Sequence, residues 1–191
     1  MIRIFIDQGH NPTNPNAGAE ANGLREQDIN YAVGKELEAL LLSNGNFDVQ
    51  VSRPTPETQL GSNQATSSTA SLRTRVQAAN EWGADYFISL HCNANANEQA
   101  SGSEAYVYSR SGEAYPLAQQ ILIGLHEVTG LQNRGVMLNP SLYVLRKTQM
   151  PAVLVEMGFI TNPEDALLLS QHPELFAQGI YQGILVYFGL S

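Results

Sequence analysis

Three short apolar runs in the chain each lead into a side chain that can bind a metal ion or exchange a proton. The runs and the residues that follow them are 2–6 with His10, 86–90 with His91, and 152–155 with Glu156. Each run is hydrophobic at both odd and even positions, which is typical of a strand buried on both faces of a parallel sheet. Ligands of such sheets bind outside the carboxyl ends of the strands. We therefore expect these three side chains to meet at one edge of a sheet.

A zinc site is the chemistry that these residue types favour. A catalytic zinc ion usually has three protein ligands drawn from His, Asp and Glu, and a fourth position for water. His10 and His91 would supply two ligands. We predict Glu26 as the third, because it begins the first predicted helix at the end of the sheet where the first strand finishes; Glu20 is the nearest alternative. Glu156 is then the candidate general base that takes a proton from water.

Each of these residues also has a purely structural interpretation. His10 could be a surface residue in a polar loop, and His91 a core histidine bonded to a backbone carbonyl. Glu26 would complement the dipole of the helix that it begins. For Glu156 the alternative is a structural salt bridge, since an unpaired carboxylate at the end of a buried strand is costly.

The remaining histidines and the single cysteine are predicted to lie outside the site. His126 lies at the polar margin of an amphipathic helix, and His172 precedes a proline in a turn between helices, so both should face solvent. Cys92 follows His91 directly, and neighbouring strand residues point to opposite faces. Cys92 should therefore face the core and not act as a nucleophile.

Composition limits the function classes. The chain has 191 residues, 43% of them hydrophobic and 15% charged, which favours one compact domain over residues 1–191. A formal net charge of −8 without a Lys/Arg cluster argues against a nucleic-acid partner. No run approaches the ~20 apolar residues of a membrane span, and no signal peptide is visible, because Met1 leads straight into a strand.

The order of predicted elements indicates the fold class. Helices are predicted from about Glu26 to a cap at Gly45, from a cap at Ser71 to Gly83, over 116–128, from 163, and over 173–188. The predicted strands are 2–7, 47–53, 85–90, 103–109, 142–145 and 152–155. Polar loops over 11–23 and 54–70 should lie on the surface. This order predicts an α/β three-layer sandwich with a mostly parallel sheet.

Ordered motifs over nearly the whole chain resemble one family. They are IFIDQGH (4–10), Gly18-Ala19, EQDIN (26–30), Arg75, Ala79-Asn80, ADYFISLHCNA (84–94), Gly102-Ser103-Glu104, NRGV (133–136), YVLR (143–146) and PAVLVEMGF (151–159). In these motifs the chain resembles the zinc-dependent N-acetylmuramoyl-L-alanine amidases of the amidase-3 type, which include cell-wall hydrolases and phage endolysin catalytic domains.

The resemblance implies a fold, a cofactor and a reaction. The fold would be a twisted, mostly parallel six-stranded sheet flanked by helices. One zinc ion per chain would be bound by His10, Glu26 and His91, with Glu156 as the catalytic residue. The reaction would be hydrolysis of the amide between N-acetylmuramic acid and the L-alanine of the peptidoglycan stem peptide. Asn93 and Arg134 are further candidates, as groups lining the substrate groove.

The resemblance also implies a partner and a location. The partner would be peptidoglycan or a muropeptide, met at the bacterial cell wall, either outside the membrane or after release by a phage. The loop after His10 lacks the glycine pair of many relatives, and loop 54–70 matches no motif, so the preferred stem peptide and wall chemotype stay open. The choice between phage lysin and autolysin, the oligomeric state and the need for a protein activator also stay open.

Two other functions are compatible with the same residues. One is a zinc peptidase or carboxypeptidase, since related α/β folds with His/Glu sites cleave peptides. The other is a non-catalytic domain that binds muropeptides. The presence of all four residues of the predicted site, Glu156 in particular, weighs against a binding domain, because binding needs no general base.

Overall fold

The computed structural model describes residues 1–61 and 67–190 and has the predicted three-layer α/β architecture. Six strands of the described residues form the main sheet: β1 (Ile2–Gln8), β4 (Phe47–Val51), β5 (Tyr86–Asn93), β6 (Ser103–Val107), β7 (Asn133–Leu138) and β8 (Ala152–Phe159). A separate short hairpin consists of β2 (Glu20–Ala21) and β3 (Leu24–Arg25). The helices are α1 (Glu26–Asn44), α2 (Ser68–Trp82), α3 (Ala114–Thr129), α4 (Tyr143–Lys147), α5 (Pro163–Gln171) and α6 (Pro173–Phe188).

The sheet is parallel except at one junction. Its strand order is β4-β1-β5-β8-β6-β7. All neighbouring strands run parallel apart from β6 and β8, which are antiparallel. The carboxyl ends of β1, β5 and β8 therefore share one edge with the beginning of β6.

Helices cover both faces of the sheet, and each face has its own apolar cluster. On one face the core combines strand residues such as Ile6, Leu90 and Val155 with residues of α1, α3 and α6. On the other face Phe5 and Phe87 pack with residues of α2 and α4. The central strands are buried on both sides, as their unbroken apolar runs predicted.

The predicted C-terminal ends of α1 and α2 and the predicted start of α5 agree with the structure. α1 and α2 end at Gly45 and Gly83, which have left-handed backbone conformations (φ 77° and 71°). α5 begins after Asn162, whose side chain accepts hydrogen bonds from the first-turn backbone N–H groups of Glu164 and Asp165. No helix in the described part of the chain combines the length and apolar composition of a membrane span.

The prediction of a strand over 142–145 was wrong. This segment enters the short helix α4, whose Val144 and Leu145 are buried in the cluster on the second face. A run of four apolar residues does not distinguish a strand from a buried helical turn, and here the contact with the sheet decides. The sixth strand is instead β7, which lies exposed at the edge of the sheet. It was not predicted, because it begins with the polar residues Asn133 and Arg134 and contains Gly135, a pattern that is not typical of a strand.

Three smaller predictions also need correction. Helix α2 begins at Ser68, so Ser71 lies inside the helix, where it is fully buried and donates to the Asn11 side chain. Asn11 itself is fully buried, although the loop from 11 to 23 was expected on the surface. That loop also contains β2 and β3, joined by Asn22 and Gly23 with positive φ. Of the predicted loop 54–70, residues 62–66 lie outside the described residues and 68–70 are helical.

Candidate metal and catalytic site

Three predicted ligands converge at the shared edge of the sheet. His10 Nε2 lies 3.1 Å from Glu26 Oε1, and His91 Nδ1 lies 3.0 Å from the same oxygen. The two imidazole rings are perpendicular, with centroids 4.9 Å apart. One donor atom from each residue lies within 4.8 Å of the other two. The structure therefore brings His10, Glu26 and His91 into one cluster of the size that a metal ion needs.

Glu26 is the buried centre of this cluster. It is only 4% exposed, and the backbone N–H groups of Ala19 and Cys92 donate to its two oxygens. Burial on its own would raise the pKa of Glu26, but hydrogen bonds from the rings of His10 and His91 hold that pKa well below its ordinary value. A carboxylate kept ionised at the N-terminus of a helix is in the form that binds a cation.

His10 is held by its backbone as well as by its ring. It adopts a positive φ of 67°, which is uncommon for a residue with a side chain. Two groups fix this conformation: Arg75 donates to the carbonyl oxygen of His10, and the Asn11 side chain binds the chain at Pro15 and Leu60. The loop after β1 is thus tied to α2 and to the segment after β4, and the imidazole is directed at Glu26.

The buried pair of Arg75 and Asp7 lies directly under this loop. Both side chains are 1% exposed and are in hydrogen-bond contact. Ser89 also donates to the Asp7 carboxylate. Burial would raise the pKa of Asp7, but the Arg75 guanidinium beside it holds that pKa below its ordinary value. This buried ion pair therefore connects β1, which carries Asp7, to α2, which carries Arg75.

Replacing Arg75 by Met should lower the free energy of unfolding by about 3–5 kcal/mol, because it leaves the Asp7 charge buried without its partner. Urea unfolding followed by circular dichroism measures this change. Arg73→Met is the matched control, since Arg73 is exposed on the same helix and should change the free energy by less than about 0.5 kcal/mol. The double variant Asp7→Leu/Arg75→Met should recover part of the loss; equal stability of Arg75→Met and wild type would contradict the assignment.

His91 depends on a close approach of the neighbouring strand. A Cβ atom added to Gly9 would lie 2.4 Å from Cε1 of His91 and 2.5 Å from the Leu90 carbonyl oxygen, so this position must be a glycine. The pairing of β5 with β8 shifts register between His91 and Asn93. Such irregularities are frequent next to active sites, where they redirect side chains.

Glu156 lies beside the cluster on the adjacent strand. It pairs in register with His91 on β5 and with Glu104 on β6, so the three side chains form one row across the sheet. Within the described residues Glu156 makes no ion pair, and its buried Oε2 has no hydrogen-bond partner. The structural salt bridge considered from the sequence is therefore absent there. Burial, together with the negative charges of Glu26 and Glu104, raises the pKa of Glu156 to about 8.

The donor set fits a metal ion. Two imidazole nitrogens and a carboxylate oxygen are typical ligands of a catalytic zinc site. The buried Nδ1 of His10 has no partner among the described residues, so Nε2 alone connects the ring to the cluster. These observations agree with a metal held by His10, Glu26 and His91, although metal binding itself stays a prediction.

The sequence profile of the family described as N-acetylmuramoyl-L-alanine amidase matches residues 4–186. The chain belongs to this family. The matched range begins within β1, ends within α6 and contains all four residues of the candidate site, His10, Glu26, His91 and Glu156.

Named relatives and solved structures agree with the family. The chain is 36% identical to the N-acetylmuramoyl-L-alanine amidase CwlM of Bacillus licheniformis, with 100% of this chain and 70% of that protein covered. It is 32% identical to the endolysin of Bacillus phage SPP1, covering 98% of this chain and 66% of the endolysin. The crystal structure of an N-acetylmuramoyl-L-alanine amidase from Clostridium difficile 630 superposes with a TM-score of 0.86 at 30% identity, covering 98% of this chain and 97% of that one.

In this amidase chain, His126, His172 and Cys92 lie where the sequence predicted, whereas Glu20 lies outside the ligand cluster. Glu20, the alternative ligand, is 67% exposed and pairs with Arg25 at 3.7 Å, outside the cluster. His126 and His172 are exposed. Cys92 is buried in the core cluster, where burial raises the pKa of its thiol well above the ordinary value. Both features agree with the prediction that Cys92 faces the core.

Asn93 and Arg134, the predicted groove residues, meet at a third residue that sequence reasoning did not single out. The Glu104 carboxylate accepts from Asn93 Nδ2 at 2.7 Å and from Arg134 Nε at 2.9 Å. Glu104 is 4% exposed and lies directly opposite Glu156. The signal for it was present, because Glu104 is the one charged residue of β6, but its alignment with Glu156 depends on the antiparallel pairing of β6 with β8.

Proposed function

We propose that the chain hydrolyses the amide between the lactyl group of N-acetylmuramic acid and the L-alanine of the stem peptide, with one zinc ion bound by His10, Glu26 and His91. The observation that carries this proposal is the row of His91 and Glu156 on adjacent strands, with Glu156 free of any ion pair in the described part of the chain. Three side chains that can bind one metal ion, next to a carboxyl group with no ion pair among the described residues, are an arrangement that a metal-dependent hydrolase needs. Family membership and the amidase relatives support the same bond as the substrate.

In this mechanism His10, Glu26 and His91 would bind the metal ion, and Glu156 transfers the proton. A zinc ion bound by this donor set would polarise the scissile carbonyl and make water more acidic. Glu156 accepts a proton from the attacking water while the water oxygen bonds to the lactyl carbonyl carbon. As the carbon–nitrogen bond breaks, Glu156 gives the proton to the amine of L-alanine. Burial and the charges of Glu26 and Glu104 raise the pKa of Glu156, whereas a zinc ion bound beside it would favour the carboxylate form that accepts a proton.

The proposal also includes domain organisation and location. Residues 1–191 would act as one catalytic unit, since the two apolar clusters lie on opposite faces of one continuous sheet that carries the site. The substrate places the activity at the bacterial cell wall, either outside the membrane or after release by a phage. The endolysin and bacterial amidase relatives are consistent with both settings.

Treating purified peptidoglycan with the protein, with and without a chelator, tests this function. We expect new L-alanine amino groups on released stem peptides, loss of this release on chelation and recovery on adding zinc. Labelling of free amines followed by mass spectrometry identifies the new ends. A cut between two amino acids would indicate a peptidase, and binding without any cut by the zinc-loaded protein would indicate a binding domain; either result would overturn the proposal.

A further inference from the structure

The guanidinium group of Arg134 is fixed by three contacts and keeps one end free. Its Nε donates to Glu104 and its Nη1 to the Ser101 carbonyl oxygen at 3.3 Å. Its Cζ lies 5.0 Å from the centre of the Phe159 ring, a cation–π contact. Its Nη2 donates to no acceptor among residues 1–61 and 67–190, and the side chain is 34% exposed. Arg134 is thus an oriented cation with donors left for a ligand.

An irregularity in the pairing of β6 and β7 directs the Arg134 side chain toward Glu104. The register of β6 and β7 shifts between Ser103, which pairs with Asn133, and Ala105, which pairs with Val136. The one extra residue on β7 forms an irregularity in which Gly135 has a φ of 93° and its backbone N–H donates to the Asn133 side chain. A bulge of this kind redirects a side chain. Here it places Arg134 against Glu104, at the active-site edge.

Glu104 holds Arg134 in place. Besides Arg134 and Asn93, the hydroxyl of Tyr106 donates to this carboxylate at 2.8 Å. Glu104 therefore connects side chains from β5, β6 and β7 while it is itself almost fully buried. A buried carboxylate with three donors has little freedom to move, so Arg134 is pre-oriented before any substrate arrives.

The distance of Arg134 from Glu156 can be compared with the distance between groups in a stem peptide. β7 is two strands from β8, a backbone separation of roughly 10 Å, and the Arg134 side chain reaches back toward Glu104 and Glu156. In a stem peptide, the α-carboxyl group of the second residue lies about two residue lengths, roughly 7 Å, beyond the scissile amide. Where that second residue is linked onward through its side chain, its α-carboxyl group is left either as a free carboxylate or, after amidation, as a neutral carboxamide.

We propose that Arg134 binds the α-carboxylate of the second stem-peptide residue and that Glu104 is the positioning residue that orients it. The inference rests on the proposed amidase function and adds a substrate preference to it: muropeptides with a free carboxylate are cleaved faster than amidated ones. A planar guanidinium with free donors pairs with a carboxylate better than with a neutral amide.

Two synthetic muropeptides that differ only in this carboxylate or carboxamide test the inference. We expect the zinc-loaded wild type to favour the carboxylate by about 10-fold or more in kcat/KM, the size of one charge-assisted hydrogen bond. Arg134→Gln should bring this ratio close to one without loss of bound zinc. Arg110→Gln is the matched control, because Arg110 contacts the Tyr115 ring beyond the opposite end of β6 and should keep the ratio.

Two further measurements separate orientation from a general structural role. Glu104→Gln should reduce the ratio while leaving the charge of Arg134 in place, whereas a purely structural defect would slow both substrates equally. In the unaltered protein, added salt should reduce the preference, since a partly exposed ion pair is screened; this test needs no variant to fold.

The outcomes distinguish this inference from the proposed function. Equal cleavage of both muropeptides by wild type, or an unchanged ratio in Arg134→Gln, would overturn the carboxylate assignment and leave the amidase function standing. If wild type cleaves neither muropeptide at the lactyl amide, the amidase function fails and the preference fails with it.

Discussion

Replacing Glu156 by Gln should reduce amide hydrolysis by roughly 10²–10⁴-fold, the range that a positioned general base contributes. The amide has nearly the same size as the carboxyl group but cannot accept the proton from water. Since Glu156 is outside the three-ligand cluster, bound zinc should stay at about one ion per chain. Turnover of a soluble muropeptide and metal analysis of the same sample measure both effects.

The fold should survive this substitution. Glu156 Oε2 is buried and makes no hydrogen bond to a described residue, so a neutral amide loses no ion pair there. Glu127→Gln is the control, because Glu127 is exposed on α3 and far in sequence from the site. Activity within about threefold of wild type for Glu156→Gln would remove Glu156 from the mechanism.

Replacing Glu26 by Gln should weaken zinc binding by at least about 100-fold. Loss of a residue that merely supports a ligand already costs about 10–100-fold, and Glu26 would itself be the ligand. The substitution removes the only negative charge among His10, Glu26 and His91. Competition with a chromogenic chelator gives the affinity, and activity should fall in proportion to zinc occupancy at limiting metal.

Glu20→Gln serves as the comparison for the ligand assignment. Glu20 is six residues earlier, was the alternative ligand in the sequence, and is exposed in the structure. It should bind zinc as wild type does. A loss of affinity in Glu20→Gln, with normal affinity in Glu26→Gln, would transfer the ligand role to Glu20.

The sequence was sufficient to predict the central part of the fold and the convergence of His10, Glu26 and His91, with Glu156 on the adjacent strand. Buried parallel strands have unbroken apolar runs, and each run is followed by polar residues at the same edge of the sheet: His91 and Glu156 directly, and His10 after three further residues. The cap glycines of α1 and α2 were equally visible, since a left-handed residue favours glycine. These features are local, so a single sequence contains them.

The predictions of secondary structure were wrong where tertiary contacts, and not the local pattern of apolar residues, decide the conformation. Residues 142–145 are apolar enough for a strand, but residues 143–145 form the start of helix α4, which packs on the second face of the sheet. β7 carries few apolar residues because it is an exposed edge. The roles of Arg75 and Glu104 depend on partners more than 25 positions away in sequence, Asp7 and Arg134, and no periodicity reveals such pairs.

The position of β8 in the strand order also has a consequence for folding. β8 is the last strand of the sheet in sequence, yet it lies between β5 and β6. Without residues 152–159, the described strands of the main sheet fall into two separate groups of neighbours, β4-β1-β5 and β6-β7. Insertion of β8 joins them and places Glu156 between His91 and Glu104 in the same step. A nascent chain therefore acquires the complete row of His91, Glu156 and Glu104 only after β8 has been synthesised, when the long-range pairings of β8 close the sheet.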